Sequence, residues 1–140
     1  MASKVLVKDL MSTNVNVFKN ESTLDQVVKA MSDCNVDYVI VEQSGKPTGI
    51  ITEHDIIVRM LTQGLDPKVV IARAVYTNPL VTIEETATVK EAAELMKEWK
   101  IKHLPVTQNG KIAGMLNYLD IAFNVPELLP AMKELYRPSK

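Results

Sequence analysis

Apolar residues recur at helical spacing in two stretches of this chain, each beginning just after a threonine. Thr23 and Thr88 are followed three residues later by Gln26 and Glu91, the pattern of a capping box. Apolar residues then fall at i, i+3, i+4 and i+7, which predicts one amphipathic helix per stretch. The buried faces would consist of Leu24, Val27, Val28 and Met31, and of Val89, Ala92, Ala93 and Met96.

Two strand-like runs follow each predicted helix. They are joined by Ser44-Gly45 and by Asn109-Gly110, and Asn-Gly is a strong signal for a two-residue hairpin turn. Gly49 and Gly114 lie inside the second run of each pair, where glycine indicates a bulge or a close backbone approach. A further helix is predicted to begin near Glu53 and near Tyr118. The predicted strands are Val15–Phe18, Tyr38–Glu42, Pro47–Thr52, Leu80–Ile83, His103–Thr107 and Ile112–Asn117.

The two stretches are copies of one unit. Shifting the sequence by 65 positions lays Val7–Ile56 over Ala72–Ile121 without a gap, with nine identical pairs. Each copy has the order β-α-β-β-α, so we predict an α+β fold of two pseudo-symmetric units that pack through their sheets. We place the units at residues 5–60 and 71–123, with a connector at 61–70 and a tail helix within 124–140. The apolar face of that tail, Leu128, Leu129, Met132 and Leu135, would cover the core or a partner subunit.

Composition excludes several classes of protein. The net charge is −1 and no long basic run occurs, so we expect no nucleic acid partner. No run of 18 apolar residues occurs and the first residues do not form a signal peptide, so we expect a cytoplasmic protein without a membrane span. We expect the single cysteine, Cys34, to be a reduced thiol in the core, and His54 to lie at the surface.

The sequence contains few of the residues that usually carry out catalysis or bind metals. Two histidines, one cysteine and no carboxylate pair at catalytic spacing form no acid–base or nucleophilic constellation, so we do not expect an enzyme. Cys34, His54 and His103 have no metal-ligand spacing, so we expect neither a metal nor an obligatory cofactor.

Polar residues nevertheless recur where each hairpin runs into the following helix. Thr52 and Asn117 end the strands, and Asp55 and Asp120 follow three residues later. These groups could simply cap the helices and complement their dipoles. Alternatively, the carboxylate could accept hydrogen bonds from a diol such as ribose, with nearby backbone N–H groups binding an anion.

Several motifs follow one another in order along both copies. They are the Val7-x-Asp9-Leu10-Met11 opening, the capped helices, the Gly-Lys turns, His103-Leu104-Pro105-Val106 and the Gly-x-x-Thr-x-x-Asp ending. Together they resemble the CBS domain family in its tandem-pair (Bateman) form, over Val5–Phe123. The resemblance implies a regulatory module that binds adenine nucleotides (AMP, ADP or ATP) or related adenosyl compounds in clefts between the two units, forms a homodimeric disc and acts on a protein partner in trans.

The resemblance also implies two nucleotide sites. In the first, Thr52 and Asp55 would hold ribose, Lys102 and His103 would meet phosphate, and a four-residue stretch would form the adenine wall. The full first set is Thr52, Asp55, Asn78, Pro79, Leu80, Val81, Lys102 and His103. The second, weaker set is Thr13, Asn14, Val15, Asn16, Asp37, Tyr38, Asn117 and Asp120.

Charge separates the two predicted sites. Lys102 is cationic, whereas its counterpart in the first copy is Asp37, which would repel a phosphate by about 4 kcal/mol at ~4 Å and an effective dielectric constant of ~20, less when exposed. We therefore expect the first site to suit a phosphorylated nucleotide, and the second a neutral or cationic adenosyl ligand, or nothing. The alternative function is a ligand-free adaptor that dimerises and docks on a partner.

Overall fold

The elements follow the same order twice along the chain. The computed structural model describes residues 4–78 and 80–136. Each copy contributes a three-stranded sheet, with strand orders β1-β2-β3 and β4-β5-β6, and the helices that accompany it, which confirms the α+β class. The strands are β1 (Val17–Lys19), β2 (Tyr38–Gln43), β3 (Lys46–Thr52), β4 (Ile83–Glu84), β5 (His103–Gln108) and β6 (Lys111–Asn117). The helices are α1 (Val7–Leu10), α2 (Leu24–Cys34), α3 (Glu53–Asp55), α4 (Val89–Trp99), α5 (Tyr118–Asn124) and α6 (Leu129–Lys133).

Short helical segments of other types join these elements in the described part of the chain. A π-helix, Ile56–Leu61, continues α3, and 3₁₀ turns occupy Ala72–Ala74 and Pro126–Leu128. In both sheets the first strand pairs parallel to the second, and the second and third form an antiparallel hairpin.

The chain forms two compact units whose boundaries differ from those of the sequence repeat. The first unit is Val15–Leu80. The second unit begins at Val81 and also contains the N-terminal segment up to Asn14. Val7 donates its N–H to the carbonyl of Ala87, at 2.8 Å, and is fully buried in the core of the second unit. Residues 5–14, which the repeat assigns to the first copy, therefore pack on the second.

The predicted helix starts are confirmed. In α4, Thr88 Oγ1 accepts from the N–H of Glu91 at 3.1 Å, and the Glu91 carboxylate accepts from the N–H of Thr88 at 3.2 Å. In α2, Gln26 accepts from the N–H of Thr23 at 3.2 Å, while the Thr23 hydroxyl donates to Asp25. The bonds donated by the N–H groups of Thr23, Thr88 and Glu91 satisfy donors that the helices themselves leave unpaired.

Both glycines inside the hairpins lie at close backbone approaches, as predicted. A Cβ on Gly49 would overlap the ring of Tyr76, and one on Gly114 would be 2.6 Å from the carbonyl oxygen of Ser12. The strand register shifts beside each glycine, so each hairpin also carries a bulge. The segments that approach, around Thr77 and Ser12, form isolated bridges to Ile50 and Met115.

Each unit has its own apolar core, and two sequence expectations about the first core were wrong. Val28 is 36% exposed, because it lies at the edge of the apolar face of α2. Cys34 is exposed rather than buried, because it is the last residue of α2, where the chain turns away through Asn35. His54 is exposed, as expected.

The tail covers the core of the second unit. Met132 and Leu135 are buried there, and Leu128 packs against them, whereas Leu129 is 37% exposed. The sequence predicts a tail helix within residues 124–140, and α6 spans only Leu129–Lys133 of it, after a separate 3₁₀ turn. Prolines in the first turn of each segment lack the N–H that would continue a preceding helix. Within the described residues, no helix is both long and apolar enough to cross a membrane.

Candidate functional site

The junction between β3 and α3 in the first unit is closed by a buried carboxylate. Asp55 is 3% exposed. Its Oδ2 accepts from the N–H of Thr52 at 3.0 Å and from the Thr52 hydroxyl at 3.2 Å. The capping interpretation of this pair is therefore observed, and Asp55 fixes the start of its own helix.

The other oxygen of the same carboxylate is also occupied. Asp55 Oδ1 accepts from the Thr77 hydroxyl at 3.0 Å and lies 3.4 Å from Nε of Arg59. Arg59 also donates from a terminal nitrogen to the carbonyl of Tyr76, at 3.2 Å. A ribose diol could reach Asp55 only by displacing Thr77 or Arg59.

Sequence reasoning missed both Arg59 and Thr77. Arg59 was detectable, because an arginine four residues after an aspartate lies on the same helix face. Thr77 is 22 positions from Asp55, and no local pattern joins them.

The equivalent junction in the second unit, between β6 and α5, is open. Asn117 caps α5 by accepting from the N–H of Leu119 at 2.8 Å. Asp120 is partly exposed, and its carboxylate has no hydrogen bond or ion pair with any residue that the structure describes. Asn124 contacts only the backbone here, donating to the Asp120 carbonyl at 2.8 Å.

The first unit places Asp37 and Tyr38 beside the closed junction. Tyr38 pairs with Thr52 across the hairpin, and the Asp37 carbonyl accepts from the N–H of Glu53 at 3.1 Å. Burial, and secondarily the negative charge of Asp37, raises the pKa of the Tyr38 phenol, so it stays protonated. The Asn16 carbonyl accepts from the N–H of Ile40 at 2.9 Å, so this segment also lies along β2.

The second unit places Lys102 and His103 beside the open junction. His103 pairs with Asn117 across the hairpin, and the Lys102 carbonyl accepts from the N–H of Tyr118 at 3.0 Å. The Lys102 ammonium lies 5.6 Å from the centre of the Tyr118 ring. This distance permits a cation–π interaction, which orients the lysine side chain.

Each predicted set of site residues includes members of both units. The first set takes Thr52, Asp55, Asn78 and Leu80 from the first unit and Val81, Lys102 and His103 from the second, while Pro79 lies outside the described residues. The second set takes Val15, Asn16, Asp37 and Tyr38 from the first unit and Thr13, Asn14, Asn117 and Asp120 from the second. Inside each unit the structure brings the hairpin residues of both sets together, and the sets as wholes stay predictions.

In the part of the chain that the structure describes, no group of three or more His, Cys, Asp or Glu side chains could hold a metal ion.

Comparison with known proteins places this geometry in a family. The model of the CBS domain matches residues 7–62 and 72–127. The uncharacterized protein MK0525 of Methanopyrus kandleri is 39% identical over 97 residues, which are 69% of this chain and 50% of that protein, so the chain spans about half of its length.

Solved structures show the same fold. An uncharacterized conserved protein from Pyrococcus horikoshii has a TM-score of 0.77 and 25% identity, covering 100% of this chain and 99% of that one. The CBS domain pair of protein MJ0100, in complex with 5′-methylthioadenosine and S-adenosyl-L-methionine, also has a TM-score of 0.77, at 23% identity, covering 88% of this chain and 97% of that chain. With two matches that together span most of its length, the chain belongs to the CBS domain family.

Proposed function

We propose that this protein is a regulatory module that binds an adenosyl compound, with Asp120 as the acceptor for the ribose hydroxyls. CBS-pair proteins are commonly regulatory ligand sensors rather than enzymes. The observation that carries the proposal is the difference between the two equivalent aspartates. The Asp120 carboxylate has no bond to other described residues, whereas both oxygens of Asp55 are occupied.

An open carboxylate at this position suits a diol. A carboxylate offers about four acceptor directions, so its two oxygens can take both hydroxyl protons of a ribose. Hydrogen bonds to a charged acceptor are stronger than neutral ones. The backbone around Asp120 is already held by Asn117 and Asn124, so little ordering is needed when the ligand arrives.

The group attached to the ribose of the adenosyl ligand is expected to be neutral or cationic. The second predicted set adds Asp37, whose carboxylate is exposed and whose charge helps to raise the Tyr38 pKa. The negative charge of Asp37 disfavours a phosphate, is compatible with a neutral thioether and favours a cationic sulfonium group. MJ0100, a protein of the same fold, was solved with ligands of these two kinds, which supports the proposed class.

AMP, ADP and ATP form the second candidate class. Lys102 and His103 favour phosphate, but the ribose position of that set is Asp55. A nucleotide would have to exchange the Thr77 and Arg59 contacts for its own hydroxyls. We therefore rank a phosphate-free adenosyl compound above these nucleotides.

The proposal includes a homodimer and a regulated partner in trans. Each unit leaves large apolar side chains exposed, such as Leu61 and Val69 in the first and Phe123 in the second, which are 63%, 72% and 78% exposed. Burying such side chains against a second copy would remove them from water. Light scattering should therefore give about twice the 15.6 kDa chain mass.

Titration calorimetry tests the ligand. 5′-Methylthioadenosine and S-adenosylmethionine should bind the wild type, and Asp120→Ala should lower the affinity about ten- to hundredfold, since a charged acceptor contributes about 1.5–3 kcal/mol. Glu94→Ala, which removes an exposed carboxylate from α4, is the matched control and should bind as the wild type does.

Two results would overturn the proposal. Unchanged affinity in Asp120→Ala would remove this carboxylate from the site. Absence of binding by all adenosyl compounds, AMP and ATP included, would favour the ligand-free adaptor.

A further inference from the structure

Three lysines of the second unit meet at one cleft beside the tail. The cleft has a volume of about 220 Å³ and is lined by Lys97, Lys100, Lys102, Glu134 and Leu135. Lys97 lies in the last turn of α4, Lys100 caps that helix, Lys102 precedes β5, and Glu134 and Leu135 follow α6. We call this feature the lysine cleft.

The charges of the lysine cleft are not balanced. Lys97 pairs with Glu134, with Nζ 3.0 Å from a carboxylate oxygen. Among the described residues, neither Lys100 nor Lys102 forms an ion pair. Three ammonium groups against one carboxylate leave an excess of two positive charges, which a doubly charged anion would neutralise.

The first copy of the repeat is an internal comparison for this cluster. At the 65-residue offset, Lys97, Lys100 and Lys102 correspond to Ser32, Asn35 and Asp37. None of these counterparts is cationic and one is acidic. The cluster is therefore a property of the second unit alone and not of the shared fold.

The backbone at Lys100 makes this lysine an unusual choice. Lys100 has φ 54° and ψ 47°, and Asn35 has φ 53° and ψ 47°, so both are left-handed. Asparagine tolerates this conformation better than residues with long side chains. The backbone of Lys100 is therefore strained, whereas the corresponding residue of the first unit, Asn35, adopts the same conformation at a lower cost.

The dipole of α4 explains only part of the cluster. Lysines near a helix C-terminus interact favourably with its partial negative charge, which accounts for Lys97 and Lys100. That charge is about half a unit, less than the excess of two in the cleft. It does not account for Lys102, which precedes β5, nor for the tail residues Glu134 and Leu135, which also line the cleft.

We infer that the lysine cleft binds the phosphate groups of a small di- or triphosphate. In the absence of that anion, the Glu134 carboxylate occupies Lys97, and the anion replaces it. The tail then loses its ion pair to α4, so binding loosens the Glu134 end of the tail. This site is independent of the Asp120 proposal, because it needs neither a ribose nor an adenine.

The single tryptophan provides a direct reporter. Trp99 is the last residue of α4, precedes Lys100 in sequence and is 53% exposed. Titration of the full chain with inorganic pyrophosphate at low salt should change its fluorescence, and calorimetry should give the same affinity. Raising the salt concentration should weaken binding, because exposed charges are screened.

Variants distinguish binding of the anion in the lysine cleft from nonspecific attraction of the anion to exposed lysines. Lys100→Asn, which installs the residue of the first copy, should weaken pyrophosphate binding about two- to fivefold while raising the urea midpoint. Lys97→Ser combined with Lys100→Asn should weaken binding further, and Glu134→Gln should tighten it. Lys111→Asn removes an exposed lysine from the hairpin of the same unit and should leave binding unchanged.

Three ligands identify the source of the phosphate. Equal affinity for ATP and pyrophosphate would identify free di- and triphosphates, and tighter binding of ATP would identify a nucleotide. Adenosine should not change Trp99 fluorescence. The inference is refuted if neither ATP nor pyrophosphate binds, or if Lys111→Asn weakens binding as much as Lys100→Asn. Neither result bears on Asp120.

Discussion

The two strand-to-helix junctions share a backbone and differ in what holds their aspartates. In the first unit, Asp55 is buried and contacts Thr52, Thr77 and Arg59. In the second unit, the carboxylate of Asp120 has no bond to other described residues. One copy of the duplicated unit uses its aspartate as a structural element, and the other leaves it available to a ligand.

The difference arises at two substituted positions. At the 65-residue offset, Arg59 is replaced by Asn124 and Thr77 by Ser12. Arg59 lies one helical turn after Asp55 and can reach its carboxylate, whereas Asn124 reaches only the backbone carbonyl of Asp120. A duplicated motif therefore does not imply a duplicated function, because the neighbours of the motif decide whether its polar groups are free.

The largest expected effect is on folding stability. Asp55→Ala should lower the free energy of unfolding by about 2–4 kcal/mol, since it removes a buried carboxylate that accepts from the N–H and hydroxyl of Thr52 and from the hydroxyl of Thr77. Arg59, half exposed, can turn to water and contributes little to this loss. Asp120→Ala should change stability by less than about 0.5 kcal/mol. Urea denaturation followed by circular dichroism measures both stabilities. Equal losses of stability would show that the two aspartates do not differ in their structural role.

The shared part of the two junctions should respond equally. Gly49→Ala and Gly114→Ala should each cost about 1–3 kcal/mol, because the added Cβ would meet the Tyr76 ring in one unit and the Ser12 carbonyl in the other. Thermal unfolding checks the pair. A cost confined to one glycine would show that the close approach is required in only one unit.

Replacing Asn124 by the arginine of the first unit tests whether the residue one turn after the aspartate decides its availability. Asn124→Arg places a guanidinium one turn after Asp120, as Arg59 is placed after Asp55. It should weaken binding of an adenosyl ligand about two- to fivefold, by forming an ion pair with the acceptor. Calorimetry against Asn124→Gln, which adds no charge, isolates the effect. Equal affinity in the two variants would show that Asp120 is not the acceptor.

The smallest effect concerns Tyr38, whose counterpart in the second unit is His103. Its folded pKa is raised above the ordinary value of about 10, so its contribution to stability is present below pH 10 and is lost as pH rises through the folded pKa. The wild type should lose stability between pH 9 and 11 more steeply than Tyr38→Phe, by at most about 1.4 kcal/mol per pH unit. Urea denaturation from pH 9 to 11 measures this difference. If the stability of both proteins changed equally with pH, the raised pKa of Tyr38 would not be the cause.

Local patterns were sufficient for the main helices and hairpins of this fold, whereas the predicted strand Leu80–Ile83 was misplaced, since β4 spans Ile83–Glu84. The helix starts at Thr23 and Thr88, the hairpins and the close approaches at Gly49 and Gly114 were all predictable. Each depends on spacing or turn chemistry within a few residues, or on a repeat that presents the same signal twice. The helix-capping geometry of Thr52 and Asp55 was predictable for the same reason, as one of two interpretations.

Only the tertiary structure decided which unit each segment joins and which polar groups are occupied. The N-terminal segment joins the second unit through contacts such as that of Val7 with Ala87, eighty positions away. The Asp55 carboxylate accepts a hydrogen bond from the distant Thr77, and Cys34 is exposed because α2 ends there. These outcomes depend on where distant segments come to lie, and periodicity carries no information about that. The sequence determined the repeated unit, and the long-range contacts determined which copy of its aspartate is buried and bonded by other described residues.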